Sequence, residues 1–188
     1  GSLNLLDAIR SLDYKPRILM IGSGEEYGFV LPESVPIKED TALHPGNIYA
    51  ATKSTQNMIS YIYFKGYDMD IMSVRAFNHI GPGQLENFVI SNFCKQVSDI
   101  EKGKQEPKIV TGNIEARREF TDVRDVVRAY TALIDRGTAG ETYNVGTGDA
   151  RKISEFLNII ISKSKVNVDT AVDVKRLRPA DVPIIEAD

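Results

Sequence analysis

Apolar and polar positions along this chain fall into blocks that predict helices and strands in turn. Leu5, Leu6, Ile9 and Leu12 recur at helical spacing. Arg17-Ile-Leu-Met-Ile21 is a continuous apolar run closed by Gly22-Ser-Gly24. That is the pattern of a strand buried on both faces and running into a tight turn. Residues 29–46 hold Pro, Glu and Asp without a period and predict an irregular loop. From Ile48 to Lys65 the spacing predicts a helix with Ala51, Thr55, Met58, Ile59 and Ile62 towards the core. Asp70-Ile-Met-Ser-Val-Arg-Ala-Phe77 predicts a second buried strand, stopped by Asn78-His-Ile-Gly-Pro-Gly83.

The second half continues in the same manner. Val89, Phe93, Val97 and Ile100 mark a helix, and Lys108-Ile-Val110 a short strand. Val123, Val126, Val127, Tyr130, Leu133 and Ile134 mark another helix, with Asp122 and Asp125 as its capping pair. Glu141–Val145 predicts a strand before Gly146, and Ile153, Phe156, Leu157, Ile160 and Ile161 a final helix. Helices alternating with buried strands over short connections predict an α/β fold on a parallel sheet. No internal repeat or low-complexity segment interrupts it.

Composition narrows the class. At 188 residues the chain can bury a real core, and 42% apolar with 26% charged residues suits a globular protein. The net charge of −3 is mild and unpatterned, which argues against a nucleic-acid partner. Arg117-Arg118 and Lys175-Arg176-Leu-Arg178 are local basic spots suited to a small anion or to a solvated surface. Cys94 is the only cysteine, so no intrachain disulfide forms, and a reducing, cytoplasmic setting is expected. Its neighbours Ile90 and Val97 predict a buried, inert thiol. His44, His79 and Cys94 form no metal-ligand cluster, and no apolar run is long enough to span a membrane.

Candidate chemistry centres on Tyr49-Ala-Ala-Thr-Lys53. Positions i and i+4 share a helix face, and an ammonium beside a phenol favours the phenolate. Such a phenol can pass a proton to or from a sugar oxygen, although the same spacing also arises on a solvated helix face. Ligands of a doubly wound sheet sit beyond the carboxyl ends of its strands. Ser23 and Glu25 after the first strand, Tyr49 and Lys53 on the next helix, and Asn78-His79 after the second strand all meet that rule. The set suits oxidation or reduction at an alcohol carbon.

These motifs carry a resemblance. Gly22-Ser-Gly-Glu-Glu-Tyr-Gly28, Tyr49-x-x-x-Lys53, Arg75-Ala-Phe-Asn-His-Ile-Gly-Pro-Gly-Gln84, the 112–125 segment, Tyr143-Asn-Val-Gly146 and Leu177-Arg-Pro-Ala-Asp-Val-Pro183 resemble the extended short-chain dehydrogenase/reductase (NAD-dependent epimerase/dehydratase) family. Within it they are closest to enzymes of GDP-deoxyhexose synthesis. The resemblance implies a Rossmann-like parallel sheet over residues 1–84, with 120–146 returning to it, and a smaller mixed α/β lobe over 85–188 that binds a nucleotide-diphosphate sugar. It implies catalytic roles for Ser23, Glu25, Tyr49 and Lys53. It places Tyr49, Lys53, Asn78 and His79 at an NAD or NADP cofactor. Ser23, Asn78, Lys95, Arg118, Arg178 and Asp181 would hold the substrate, preferentially a GDP-sugar. A homodimer packed on the Tyr49 helix through Met58, Ile62 and Tyr63 is implied as well.

The implied reaction is nicotinamide-dependent reduction of a nucleotide-linked 4-keto-6-deoxyhexose. A dehydratase is the alternative, because Glu25 stands where dehydratases of the family carry their acid. A non-catalytic nucleotide-sugar-binding module is a further one. Gly24 and Asp181 depart from the residues usual at those positions, Ser and Glu. The family's Gly-x-x-Gly-x-x-Gly turn is not found before Gly22, so the chain resembles the latter part of a longer enzyme and is expected to expose an unpaired sheet edge.

Overall fold

The computed structural model describes residues 1–177 and 182–188. In chain order the elements are α1 (Ser2–Arg10), β1 (Ile18–Ile21), α2 (Ile48–Tyr67), β2 (Ile71–Ala76), β3 (His79–Ile80), α3 (Val89–Glu101), β4 (Lys108–Thr111), β5 (Arg117–Arg118), β6 (Thr121–Asp122), α4 (Val123–Arg136), β7 (Thr142–Val145), β8 (Arg151–Lys152), α5 (Ile153–Ser162), β9 (Asp169–Val172) and β10 (Ile184–Ile185).

The central sheet is parallel, in the order β1-β2-β7, with Leu19 opposite Met72 and Val74 opposite Tyr143. Every residue of β2 is buried, as a strand covered on both faces requires. Successive side chains point to opposite faces. Ile18, Met20 and Ile71 meet Leu6 of α1 and Tyr63 of α2 on one face. Leu19, Val74 and Val145 meet Val126 and Leu133 of α4 on the other. This is the α/β layering that the apolar runs predict.

A second core gathers Phe93, Val97 and Ile100 of α3, Ile109 of β4, and Ile153 and Leu157 of α5. There β4 pairs in parallel with β9. Short ladders complete the frame: β3 with β6 in parallel, and β5 between antiparallel β8 and parallel β10. Asp122 caps α4 by accepting the Arg124 N–H, as expected, whereas Asp125 pairs with Arg128 at 2.5 Å. Among the described residues no helix is long and apolar enough to cross a membrane.

Two expectations are corrected. Helix α2 buries Ala50, Ser54, Asn57, Ser60 and Tyr63; of the set read from its spacing, Ile59 packs against the core and Ala51 is half-buried, while the other three face out. Met58 and Ile62 are 60% and 58% exposed, and Thr55 is exposed as well. The inward face is chosen by hydrogen bonds to the sheet, described below, which apolar periodicity does not register. Cys94 is exposed, because α3 turns Phe93 and Val97 inward and residue 94 lies about 100° round the helix from Phe93. The buried polar residue of that face is Gln96, whose carboxamide binds both the N–H and the C=O of Val110 on β4.

Candidate active site

β1 ends at Ile21, and its carbonyl opens the candidate site. It accepts Lys53 Nζ at 2.8 Å and Gln56 Nε2 at 2.8 Å, both from α2. Gly22 follows because nothing larger fits: a Cβ there would lie 2.3 Å from Glu26 Oε1 and 2.6 Å from Val74 O. Ser23 is the N-cap of a 3₁₀ turn, Gly24–Tyr27, with its hydroxyl accepting the Glu25 N–H at 3.2 Å. Ser23 is 9% exposed, and Glu25 is half-buried.

Helix α2 starts at the same rim. Asn47 caps it, accepting the Ala50 N–H at 2.8 Å through Oδ1 and donating from Nδ2 to Glu25 Oε2 at 3.0 Å. The Glu25 carboxylate is therefore tied to the start of the helix that carries Tyr49. Tyr49 is 55% exposed, and Lys53 Nζ lies 5.9 Å from its ring centroid. The phenol of Tyr130 on α4 is pushed above its ordinary value, chiefly by burial and secondarily by the charge that nearby Tyr49 carries when ionised. Tyr130 thus belongs to the surroundings of Tyr49, although the sequence offered it only as a core position.

Beyond β2, Asn78 is half-buried, and its carbonyl accepts the Thr121 N–H at 2.9 Å, linking the end of the central sheet to β6. His79 is exposed, with Nδ1 3.1 Å from the Phe77 carbonyl. Lys95 stands on α3 between Asp99 and Glu86, the latter at 3.8 Å, and its ammonium is raised above the ordinary lysine value chiefly by the hydrogen bond to Asp99. Arg118, half-buried on β5, donates to the Arg117 carbonyl at 2.8 Å. Arg178 and Asp181 lie outside the described residues. Among the described residues no group of three or more His, Cys, Asp or Glu side chains could hold a metal ion.

Serine, carboxylate and ammonium thus sit around the end of β1, with an exposed phenol one helical turn from the ammonium. Such a set can donate to a carbonyl oxygen, deliver a proton, and hold a ribose hydroxyl. The model of the GDP-mannose 4,6 dehydratase family matches residues 1–187.

The chain belongs to the GDP-mannose 4,6 dehydratase family.

Members and neighbours of this family differ in their named activities. The chain is 35% identical over 181 residues to the GDP-6-deoxy-D-mannose reductase of Pseudomonas aeruginosa, covering 96% of this chain and 60% of the relative. It is 28% identical to GDP-mannose 4,6 dehydratase 1 of Arabidopsis thaliana, covering 100% of this chain and 52% of that one. The solved structure of RMD from Pseudomonas aeruginosa complexed with NADPH superposes with a TM-score of 0.94 at 33% identity, over 100% of this chain and 62% of that one. A putative epimerase from Burkholderia cenocepacia follows with a TM-score of 0.88 at 30% identity and 59% coverage of its own chain. This family member therefore spans between half and about three-fifths of the length of these relatives, and shares their Rossmann-like α/β frame.

Proposed function

We propose that this chain carries the proton-transfer residues and the sugar-nucleotide lobe of a nicotinamide-dependent reductase acting on a nucleotide-linked 4-keto-6-deoxyhexose, with GDP as the preferred nucleoside diphosphate. The observation that carries the reading is the meeting of Lys53 with the Ile21 carbonyl, two residues before Ser23 and one turn along α2 from exposed Tyr49. The 35% identity to a relative named GDP-6-deoxy-D-mannose reductase supports the substrate class.

The donor set fits an NAD or NADP cofactor. Lys53 holds a cation at the rim on a backbone carbonyl that Gln56 also satisfies, so the ammonium has N–H groups left for a ribose. When bound, the cofactor supplies a hydride to C4 of the sugar. The chain's own residues do the rest. Ser23 donates to the C4 oxygen and Tyr49 delivers the proton to it, with the Lys53 ammonium 5.9 Å from the Tyr49 ring centroid. Tyr49, Lys53, Asn78 and His79 border the nicotinamide and its ribose in this reading. Asn78, Lys95 and Arg118, with Arg178 and Asp181, hold the nucleotide diphosphate, Lys95 exchanging its carboxylate partners for phosphate. Residues 1–84 and 120–146 then form the cofactor half, and the rest of 85–188 the sugar-nucleotide lobe, in a cytoplasmic enzyme.

The test is Tyr49→Phe in the complete gene product, followed by NADPH oxidation. Turnover should fall by about 10²–10⁴-fold, the usual size of a general-acid contribution, with nucleotide-sugar affinity kept. Unchanged turnover sinks the proposal. One observation favours a dehydratase as second reading: Glu25 is retained and is oriented by Asn47 at 3.0 Å. Formation of a 4-keto sugar without added NADPH, abolished by Glu25→Gln, would select it.

The outward apolar residues of α2, Ile48, Met58 and Ile62, support a homodimer packed on this helix. Sedimentation of Met58→Glu should report a monomer where the parent is a dimer.

A further inference from the structure

Glu26 is a carboxylate with 0% exposure that the proposed chemistry leaves unused. It lies beneath the turn that carries Ser23. Its Oε1 accepts the Ser23 backbone N–H at 2.8 Å, the reciprocal half of the capping box. Its Oε2 accepts from Asn57 Nδ2 of α2 at 2.5 Å and from Arg75 Nε of β2 at 3.4 Å. Arg75 is itself fixed, donating at 3.0 Å to both the Tyr27 hydroxyl and the Glu39 carbonyl.

One side chain therefore joins three elements: the turn with Ser23 and Glu25, the helix with Tyr49 and Lys53, and the strand that leads to Asn78. Asn57 is i+4 from Lys53, on the same helix face. Gly22 has the room it needs for this tie, since a Cβ there would lie 2.3 Å from Glu26 Oε1 and 2.9 Å from Asn57 Nδ2. A buried carboxylate pays a desolvation penalty that an apolar side chain of similar volume would avoid. What the charge adds is directionality, because three bonds from three elements fix where Ser23 stands relative to α2.

We infer that Glu26 is a positioning residue, whose buried carboxylate sets the Ser23 hydroxyl against the Tyr49 and Lys53 helix. The inference rests on the roles given above to Ser23, Tyr49 and Lys53. Of the nucleotide contacts, Lys95 and Arg118 stand on other elements, so loss of the tie acts chiefly on turnover.

The experiment uses the complete gene product with NADPH and a GDP-4-keto-6-deoxyhexose. Glu26→Gln keeps the shape but turns an NH₂ donor towards either the Ser23 N–H or the Asn57 and Arg75 donors. The expected result is a kcat lower by about 10–100-fold, the scale of a misplaced reacting group, with KM within about threefold. Adding Asn57→Asp supplies an acceptor to that amide and restores the tie between the turn and the helix, and should restore most of the turnover. Asn57→Ala, which keeps the buried charge and cuts only the tie to the helix, should lower kcat with KM unchanged even if Glu26→Gln does not fold. A wild-type kcat in Asn57→Ala, or no recovery in a folded Glu26→Gln/Asn57→Asp, overturns the inference. Tyr49→Phe is run beside them. If it stays active, the functional reading itself fails; if it is dead while Asn57→Ala turns over normally, only the role of Glu26 fails.

Discussion

Replacing Glu119 by glutamine tests how far one buried anion holds the second half of the chain together. Glu119 is 0% exposed and follows Arg118 directly. Its Oε2 accepts the Thr147 N–H, the Gly148 N–H at 3.0 Å and the Thr147 hydroxyl at 3.1 Å, while Oε1 accepts the Ala187 N–H at 2.7 Å. These four donors come from the loop after β7 and from the segment after β10. A Cβ on Gly146 would lie 2.5 Å from the carboxylate, so the loop closes on Glu119 only because glycine stands there.

In Glu119→Gln one oxygen becomes an NH₂. The cheaper orientation turns it towards Ala187, setting two donors face to face, and each buried unpaired donor costs about 1–3 kcal/mol. The donors at Oε2 stay bonded, but to a neutral carbonyl, and charge-assisted bonds contribute ~1.5–3 kcal/mol where neutral ones contribute ~0.5–1.5. The amide regains part of this through its smaller desolvation penalty. The net loss should be about 3–5 kcal/mol, since the two unpaired donors alone account for the lower figure. Urea denaturation followed by far-ultraviolet circular dichroism reads it as a shift of midpoint at constant slope. A loss under about 1 kcal/mol would refute the reasoning, for it would mean that the Ala187 N–H and the new amide NH₂ find water or other acceptors at little cost.

Gly28 has φ 62°, and a Cβ there would overlap the His44 carbonyl at 1.7 Å, so Gly28→Ala should destabilise the turn behind Ser23 by ~2 kcal/mol or more, read as a lower melting temperature. The Asp122 carboxyl is held well below its ordinary value near 3.8, first by the Arg124 side chain and then by the Arg124 backbone N–H. A depressed folded-state value stabilises above the unfolded pKa and is lost as pH falls through the folded one. Asp122→Asn, which keeps an N-cap acceptor, should therefore be less stable by a constant amount from pH 7 to about pH 4.5, with the gap narrowing only in stronger acid. Denaturation midpoints across that range check it, and a gap that closes between pH 7 and 5 would contradict it.

The fold was legible where burial is apolar. β1 and β2 are the continuous apolar runs of a buried parallel sheet, and α3 and α4 show their stripes in Phe93, Val97 and Val126, Leu133. The two-residue strands were not legible, because pairs such as Arg117-Arg118 have no period to read. β9, Asp169–Val172, was missed because its four residues are mostly exposed and its pairing with β4 is set by the core beneath. Ser23, Tyr49 and Lys53 stand out in the sequence by residue type and spacing, and the structure puts Lys53 at the Ile21 carbonyl two residues before Ser23. Glu26 and Glu119 do not stand out, since a carboxylate in a sequence reads as surface, and only the donors folded around it reveal that it is interior.

Helix α2 shows why that distinction matters for chemistry. Apolar packing alone would let a helix slide or rotate by small amounts on a sheet. The inward face here is Ala50, Ser54, Asn57 and Ser60, small or polar residues that let the helix approach closely. Ser54 and Ser60 satisfy their hydroxyls on their own helix, donating to the Ala50 carbonyl at 3.0 Å and the Gln56 carbonyl at 2.8 Å, so their burial needs no partner across the interface. Lys53, Gln56 and Asn57 then reach across to Ile21 and Glu26 with directional bonds. At the far end, Tyr63 packs among Leu6 and Ile71 and donates to Asp7 Oδ1 at 2.6 Å. Rotation and height of the helix are fixed by these bonds, and with them the place of Tyr49 relative to Ser23. The same choice turns Met58 and Ile62 outward. Ile59 and Tyr63 face the core while Met58 and Ile62 face out, and the misread part of the α2 periodicity follows from this mixture of apolar packing and directional bonds.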